Sequence, residues 1–246
     1  LKKYMSLNIE NHCALLTKSY NFVAKKTWKN SDFIESEVEK SRFFFTDESL
    51  ILGRPSTKDL EVYALLSGLP FSEKITEKLL SVQLKITKVL GDSLHYWVKP
   101  NNFGLEYFVF KWPSDDLNGL DIDITKQALR RIDVDPYIFI IRGIQVNPDG
   151  CIVARGCDEN GSLFRVREKL KEEFRFAPKK QSEWAHIPIG RILEPIGENK
   201  FIELKNLIDE LSSSFVVSDT IDTFKFVHEE QWYMEKRSVI EKYSFT

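Results

Sequence analysis

Tyr137-Ile138-Phe139-Ile140-Ile141-Arg142-Gly143-Ile144-Gln145-Val146 runs into Asn147-Pro148-Asp149-Gly150 and then into Cys151-Ile152-Val153-Ala154-Arg155. A run rich in β-branched and aromatic residues, four turn formers and a second apolar run predict an antiparallel hairpin. Downstream, Leu163 to Phe174 reads as a helix, Ile187 to Leu193 as a strand and Phe201 to Leu211 as a helix. Phe215 to Val227 and Tyr233 to Tyr243 follow as a closing antiparallel pair. Upstream, Val62 to Leu66 is a strand, and Ser72 opens a helix whose Ile75, Leu79, Val82 and Ile86 share a face. Trp97-Val98 and Leu105 to Trp112 are strand-like around the Pro100-Asn101-Asn102 turn, and Ile122 to Ile132 is helical. The two halves, Glu61 to Val134 and Asp135 onward, have similar element orders. They predict an α+β, two-lobed domain of antiparallel sheets with outer helices around a central cleft.

Residues 1–58 differ in texture, being charged and free of glycine until Gly53-Arg54-Pro55-Ser56, a loop signal. They are read as an N-terminal extension packed on a domain of residues 59–246, and as the expected surface for a protein partner. Within them Ala14 to Lys26 is predicted helical, while Arg42 to Phe45 and Ser49 to Leu52 are expected to form a short hairpin around Thr46-Asp47-Glu48. Leu1 in place of an initiator Met is expected of a fragment or a processed chain. With 42% hydrophobic and 29% charged residues over 246 positions, the chain can bury a full core. Thirty-five basic against 37 acidic residues leave a formal charge of −2, which removes the basic field expected of a duplex-binding protein. Cys13, Cys151 and Cys157 have no zinc-type spacing and cannot all pair, so a reducing, cytoplasmic location is expected, without metal or cofactor. No apolar run reaches the roughly 18 to 20 residues of a membrane span, and no signal-peptide core follows Leu1, so no membrane partner is expected.

Several phrases carry a family resemblance when taken in order. Val62 to Leu66 runs toward Pro70, Trp97-Val98-Lys99-Pro100-Asn101-Asn102-Phe103 leads into a strand, Arg142-Gly143-Ile144 precedes the hairpin, and His186-Ile187-Pro188-Ile189-Gly190-Arg191 opens the next strand. From Glu61 to Phe245 the chain resembles the two-histidine (2H) phosphoesterase superfamily, especially the 2′-5′ RNA ligase-like, RNA 2′,3′-cyclic phosphodiesterase branch. The resemblance implies two His-x-Thr motifs on facing strands, in which residues i and i+2 deliver an imidazole and a hydroxyl to one cleft. One imidazole acts as base and the other as acid, the hydroxyls hold phosphate oxygens, and no metal is required.

The pattern fails at three of those four positions. The first motif falls on Gly104-Leu105-Glu106, with glycine for histidine and glutamate for threonine; the second keeps His186 but has Pro188 for threonine. His186 is then the retained acid or base and Glu106 the expected substitute partner, with Gly104, Pro188, Arg191 and Lys111 lining the ligand site. Arg191 reads either as a phosphate contact or as an ordinary ion pair, and Trp112 as packing or as a nucleotide flank. His95 reaches the first-motif position only in a different register. His12 and His228 are expected to be solvated. The run Arg165, Arg167, Lys169 and Lys171, interleaved with Glu168, Glu172 and Glu173, reads as a solvated helix face. Phosphate-binding glycine loops, the serine-hydrolase elbow and the His-Glu-x-x-His zinc helix are absent. Two readings follow: a metal-independent phosphodiesterase acting on RNA ends, cyclic phosphates or small nucleotides, or an inactive ligand-binding or interaction module on the same fold.

Overall fold

The computed structural model describes residues 12–116 and 120–245. In chain order the elements are α1 (His12–Thr27), α2 (Glu35–Arg42), α3 (Asp47–Ile51), β1 (Asp59–Gly68), α4 (Glu73–Leu90), β2 (His95–Trp97), β3 (Gly104–Lys111) and α5 (Ile122–Leu129). They continue as β4 (Tyr137–Val146), β5 (Cys151–Cys157), α6 (Ser162–Glu173), β6 (His186–Ile192), α7 (Glu198–Ser214), β7 (Val216–Ile221), β8 (Thr223–Gln231) and β9 (Lys236–Ser244). Two antiparallel sheets result, one in the order β3-β1-β8-β9 and the other β2-β6-β5-β4-β7. The α+β, two-lobed architecture with antiparallel sheets is the one the alternating periods predict.

The lobes are not the sequential halves, however. The β8–β9 hairpin joins β1 in the first sheet, with Ala64 opposite Val227, and β2 leaves the first half to edge the second sheet, with Trp97 opposite Gly190. The expected single strand Phe215 to Val227 is accordingly split. Val216 to Ile221 pairs with β4, the chain turns at Asp222, and Thr223 onward pairs with β1 and β9. Both faces of Val217, Ile221, Phe224 and Phe226 find apolar partners only because the chain changes sheets there.

The expected hairpin at 42–52 is also replaced. Asp47 and Glu48 occupy the first turn of α3, where acidic groups favour the helix end, and Ser49 Oγ ties the turn to the carbonyls of Thr46 and Ser56. All that remains of strand pairing is a single bridge from Phe45 to Thr57. α1 lies on the second sheet, where the Tyr20 hydroxyl donates to the Gly156 carbonyl (3.2 Å) and Thr27 Oγ1 to that of Val146 (2.8 Å).

Most buried side chains form one cluster shared by both sheets and their helices. A second, smaller cluster of Val62, Ala64, Leu66, Leu69, Val109, Val227 and Met234 lies on the other face of the β1 sheet, where it forms one wall of a groove. Among the described residues no helix is long and apolar enough to cross a membrane, and no group of three His, Cys, Asp or Glu is placed to hold a metal ion.

Candidate functional site

Alternation along β3 and β6 sends Gly104, Glu106, His186 and Pro188 to one groove of about 300 Å³, between the two sheets. The structure brings these four residues to one lining. Arg191 joins them because of a register shift in the β5–β6 pairing. Val153 faces Pro188 and Ile152 faces Gly190, so the extra residue resets the phase and Arg191 lines the groove with His186.

Lys111 is not in the groove. It lies an odd number of residues after Glu106 and so on the opposite face, and the two register shifts of β3 against β1, one after Glu106 and one after Val109, cancel. It is buried, with its Nζ 2.8 Å from Glu61 Oε2, and Glu61 also meets His228 Nε2 at 2.9 Å. His228 stacks on Tyr63 at 4.4 Å between ring centroids, so it is packed rather than freely solvated. His12 is likewise packed, its ring 3.5 Å from that of Phe164, and burial lowers its pKa. His95 lies on β2, its Nδ1 against the Ser93 carbonyl, away from the groove.

Burial dominates the titration of the site. His186 has its pKa held down to about 4, by burial first and then by the charge of Arg167, which the Trp184 carbonyl offsets in part; Arg191 lowers it further. That carbonyl is engaged by Arg167, and His186 Nδ1 makes no well-formed hydrogen bond. The imidazole is therefore neutral at pH 7. Glu106 moves the other way: burial raises it to about 7 against the pull of Arg167. Among the described residues no group hydrogen-bonds its carboxyl.

Sequence reasoning missed a second carboxyl. Glu229 on β8 lines the same groove and accepts the Met234 amide at 2.8 Å. Burial pushes it up to about 8; the Met234 N–H and Arg237 oppose this and the charge of Glu106 adds to it. Its signal was its position two residues after Val227, opposite Val62, on the apolar face of the strand. Arg167 was missed as well. It is not solvated: it is 2% exposed, with Nη2 donating to the carbonyls of Glu106 (2.6 Å) and Trp184 (2.9 Å), which ties β3 to the approach to β6. Leu163, Val166, Arg167 and Leu170 share the buried stripe of α6, a spacing that places the arginine inward.

Arg191 is held on protein groups through Nε and Nη1. Its Nε donates to the Tyr233 hydroxyl and its Nη1 to Ser41 Oγ and, at 3.1 Å, to Asp149 Oδ2. Phe44 from the N-terminal segment packs on the guanidinium at 4.8 Å and stacks on Trp232, with ring centroids 4.6 Å apart and planes 9° apart. This end of the groove is thus closed by Phe44, Trp232 and Tyr233. Trp112 and the exposed Lys180, 6.0 Å over its ring, sit at the rim.

Comparison of the whole fold with solved structures gives matches at low sequence identity. A conserved protein of unknown function from Agrobacterium tumefaciens aligns with a TM-score of 0.59 and 11% identity, covering 80% of this chain and 89% of that one. LigT of E. coli in its apo form aligns at 0.52 and 11% identity, covering 77% of this chain and 99% of that one. The chain has the two-histidine phosphoesterase fold. LigT complexed with 3′-AMP gives 0.51 at 12% identity with the same coverage. No protein-family model matches the sequence, and no curated protein matches it.

Within that fold, Gly104 offers no imidazole and Pro188 no hydroxyl, while Arg191 is tied down through Nε and Nη1. The groove can accept hydrogen bonds at the carboxyls of Glu106 and Glu229.

Proposed function

We propose that the groove binds a small ligand and no longer carries out two-histidine phosphodiester hydrolysis. The supporting observation is the exchange of the first motif for Gly104 and Glu106, with Glu229 alongside. One neutral imidazole, His186, lines the groove with two carboxyls, and among the described residues no second histidine does. A phosphodiester would lose hydration against groups that become negative when they ionise. That LigT has been solved with 3′-AMP supports a nucleotide-sized cavity on this fold. Residues 1–58 are proposed to be an N-terminal extension of the domain of 59–246, whose described part, from His12, shapes one end of the groove through Ser41 and Phe44. Exposed Phe43, Ile51 and Leu52 support a contact surface there, and the three unpaired thiols support a reducing location.

A second reading is favoured by the opposite shifts of His186 and Glu106: neutral imidazole as base and protonated carboxyl as acid, acting on a cyclic phosphate. Incubation with 2′,3′-cyclic AMP separates the two. The binding reading expects turnover no faster than buffer; turnover by the wild type that disappears in His186→Ala would establish the second reading and overturn the first.

A further inference from the structure

Resting on the binding reading, we propose that the groove takes an organic cation, an ammonium or guanidinium group carried on an aromatic or aliphatic body. The hydrogen-bonding inventory of the groove points there. Two of its donors are held on the protein, Nε and Nη1 of Arg191 on Tyr233, Ser41 and Asp149 and the Gln181 amide on the carbonyls of Val109 and Pro178. Its carboxylate acceptors are the less occupied groups. Among the described residues the Glu106 carboxyl has no hydrogen-bond partner, and Glu229 uses one oxygen on the Met234 amide. Both carboxyls belong to separate strands of one sheet and interact with each other, so a positive group between them relieves a repulsion that the protein leaves in place.

The walls suit the remainder of such a ligand. Val62, Ala64 and Leu66 form an apolar side; Trp232, stacked on Phe44 by one face, and Trp112, over whose ring Lys180 lies at 6.0 Å, add aromatic surface of the kind that holds ammonium groups. Trp232 Nε1 is buried without an acceptor, a place for a hydroxyl or carbonyl on the same ligand.

The charged groups facing the carboxyls are Arg167 from α6, Arg237 from β9 and the neutral His186 from β6, with Arg191 from β6 and the exposed Lys180 also lining the groove. Burial outweighs the guanidiniums, so that near neutrality Glu106 is about half protonated and Glu229 mostly so. A cation must therefore displace protons, and its affinity rises with pH as the carboxyls ionise.

The test uses the full chain and calorimetric titration with phenethylammonium, its neutral analogue 2-phenylethanol, and 3′-AMP, at about pH 6 and about pH 8.5. The ammonium probe is expected to bind at least about tenfold tighter than the alcohol, to tighten about tenfold from the lower to the higher pH, and to lose about tenfold in Glu106→Gln. Glu229→Gln, which retains an acceptor for the Met234 amide, should show the same loss. Equal binding of the alcohol, an affinity unchanged in both variants, or no binding of the ammonium probe would each overturn the cation. Tight binding of 3′-AMP without turnover would also overturn it while leaving the binding reading intact, whereas turnover of the cyclic phosphate would remove the reading itself.

Discussion

Replacing Glu106 by glutamine should make the protein more stable, and by an amount that depends on pH. The folded state holds this carboxyl at about 7, against an ordinary value of 4.5, because burial penalises the charged form. Between those values the unfolded chain gives up the proton while the folded chain keeps it. The folded state then binds more protons, so wild-type stability falls as pH rises through this window and levels off above it. A displacement of about 2.5 units corresponds to about 3 kcal/mol, reduced to about 2 kcal/mol by the water that reaches the groove. Glutamine has the same shape and does not titrate. Urea unfolding of both proteins should thus give a stability difference that is constant below about pH 4 and grows by about 2 to 3 kcal/mol in favour of Glu106→Gln by about pH 8. Glu229, released from its neighbour's charge, shifts in the same sense. A difference that stays flat with pH, or that turns against the glutamine variant, would show that Glu106 is solvated and that the groove is not the low-dielectric site described above.

Arg167→Met should raise the His186 pKa, followed by NMR titration, because the guanidinium is the second contributor to its depression; it should also destabilise the fold by about 3 kcal/mol through the freed carbonyls of Glu106 and Trp184. Phe44→Ala should cost about 3 kcal/mol in thermal unfolding, since it empties the stack between Trp232 and Arg191. Gly104→His, intended to restore an imidazole, places a Cβ 3.0 Å from Leu66 Cδ2; it should destabilise the chain by about 1 to 3 kcal/mol alone and recover much of that loss when combined with Leu66→Ala, both read by thermal melting.

The fold class was legible because the Tyr137 to Arg155 hairpin and the amphipathic stripe of Ile75, Leu79, Val82 and Ile86 each satisfy one periodicity strongly. Strand destination was not. Phe215 to Val227 has a continuous β-forming pattern, and its division between sheets at Asp222 depends on which partner strand lies free, a property of the assembled fold. The site was half legible. His186, Glu106, Gly104 and Pro188 line the groove through simple alternation, while Arg191 depends on a register shift that period-two counting does not see; Lys111 was out of phase with Glu106 by that same counting. Arg167 shows the converse: its place on the stripe of Leu163, Val166 and Leu170 marked it as buried, but the surrounding charges of α6 concealed it. At residues 42–52, β-forming phenylalanines lost to the acidic helix start of α3.

The exchange of strands between the sheets bears on how the chain reaches its native state. β1, made early, has its neighbour β8 more than 150 residues later, as in the pair Ala64 and Val227. Until the last hairpin emerges, one edge of β1 carries unpaired amides and carbonyls beside the apolar side chains of Val62, Ala64 and Leu66. Neither lobe is therefore an autonomous folding unit, and closure of loops this long favours slow folding with an aggregation-prone interval during synthesis. A chain stopped near Asp222 would retain every strand of the five-stranded sheet yet lack half of the other, and the residues that form the groove in the finished protein would instead be a sticky edge.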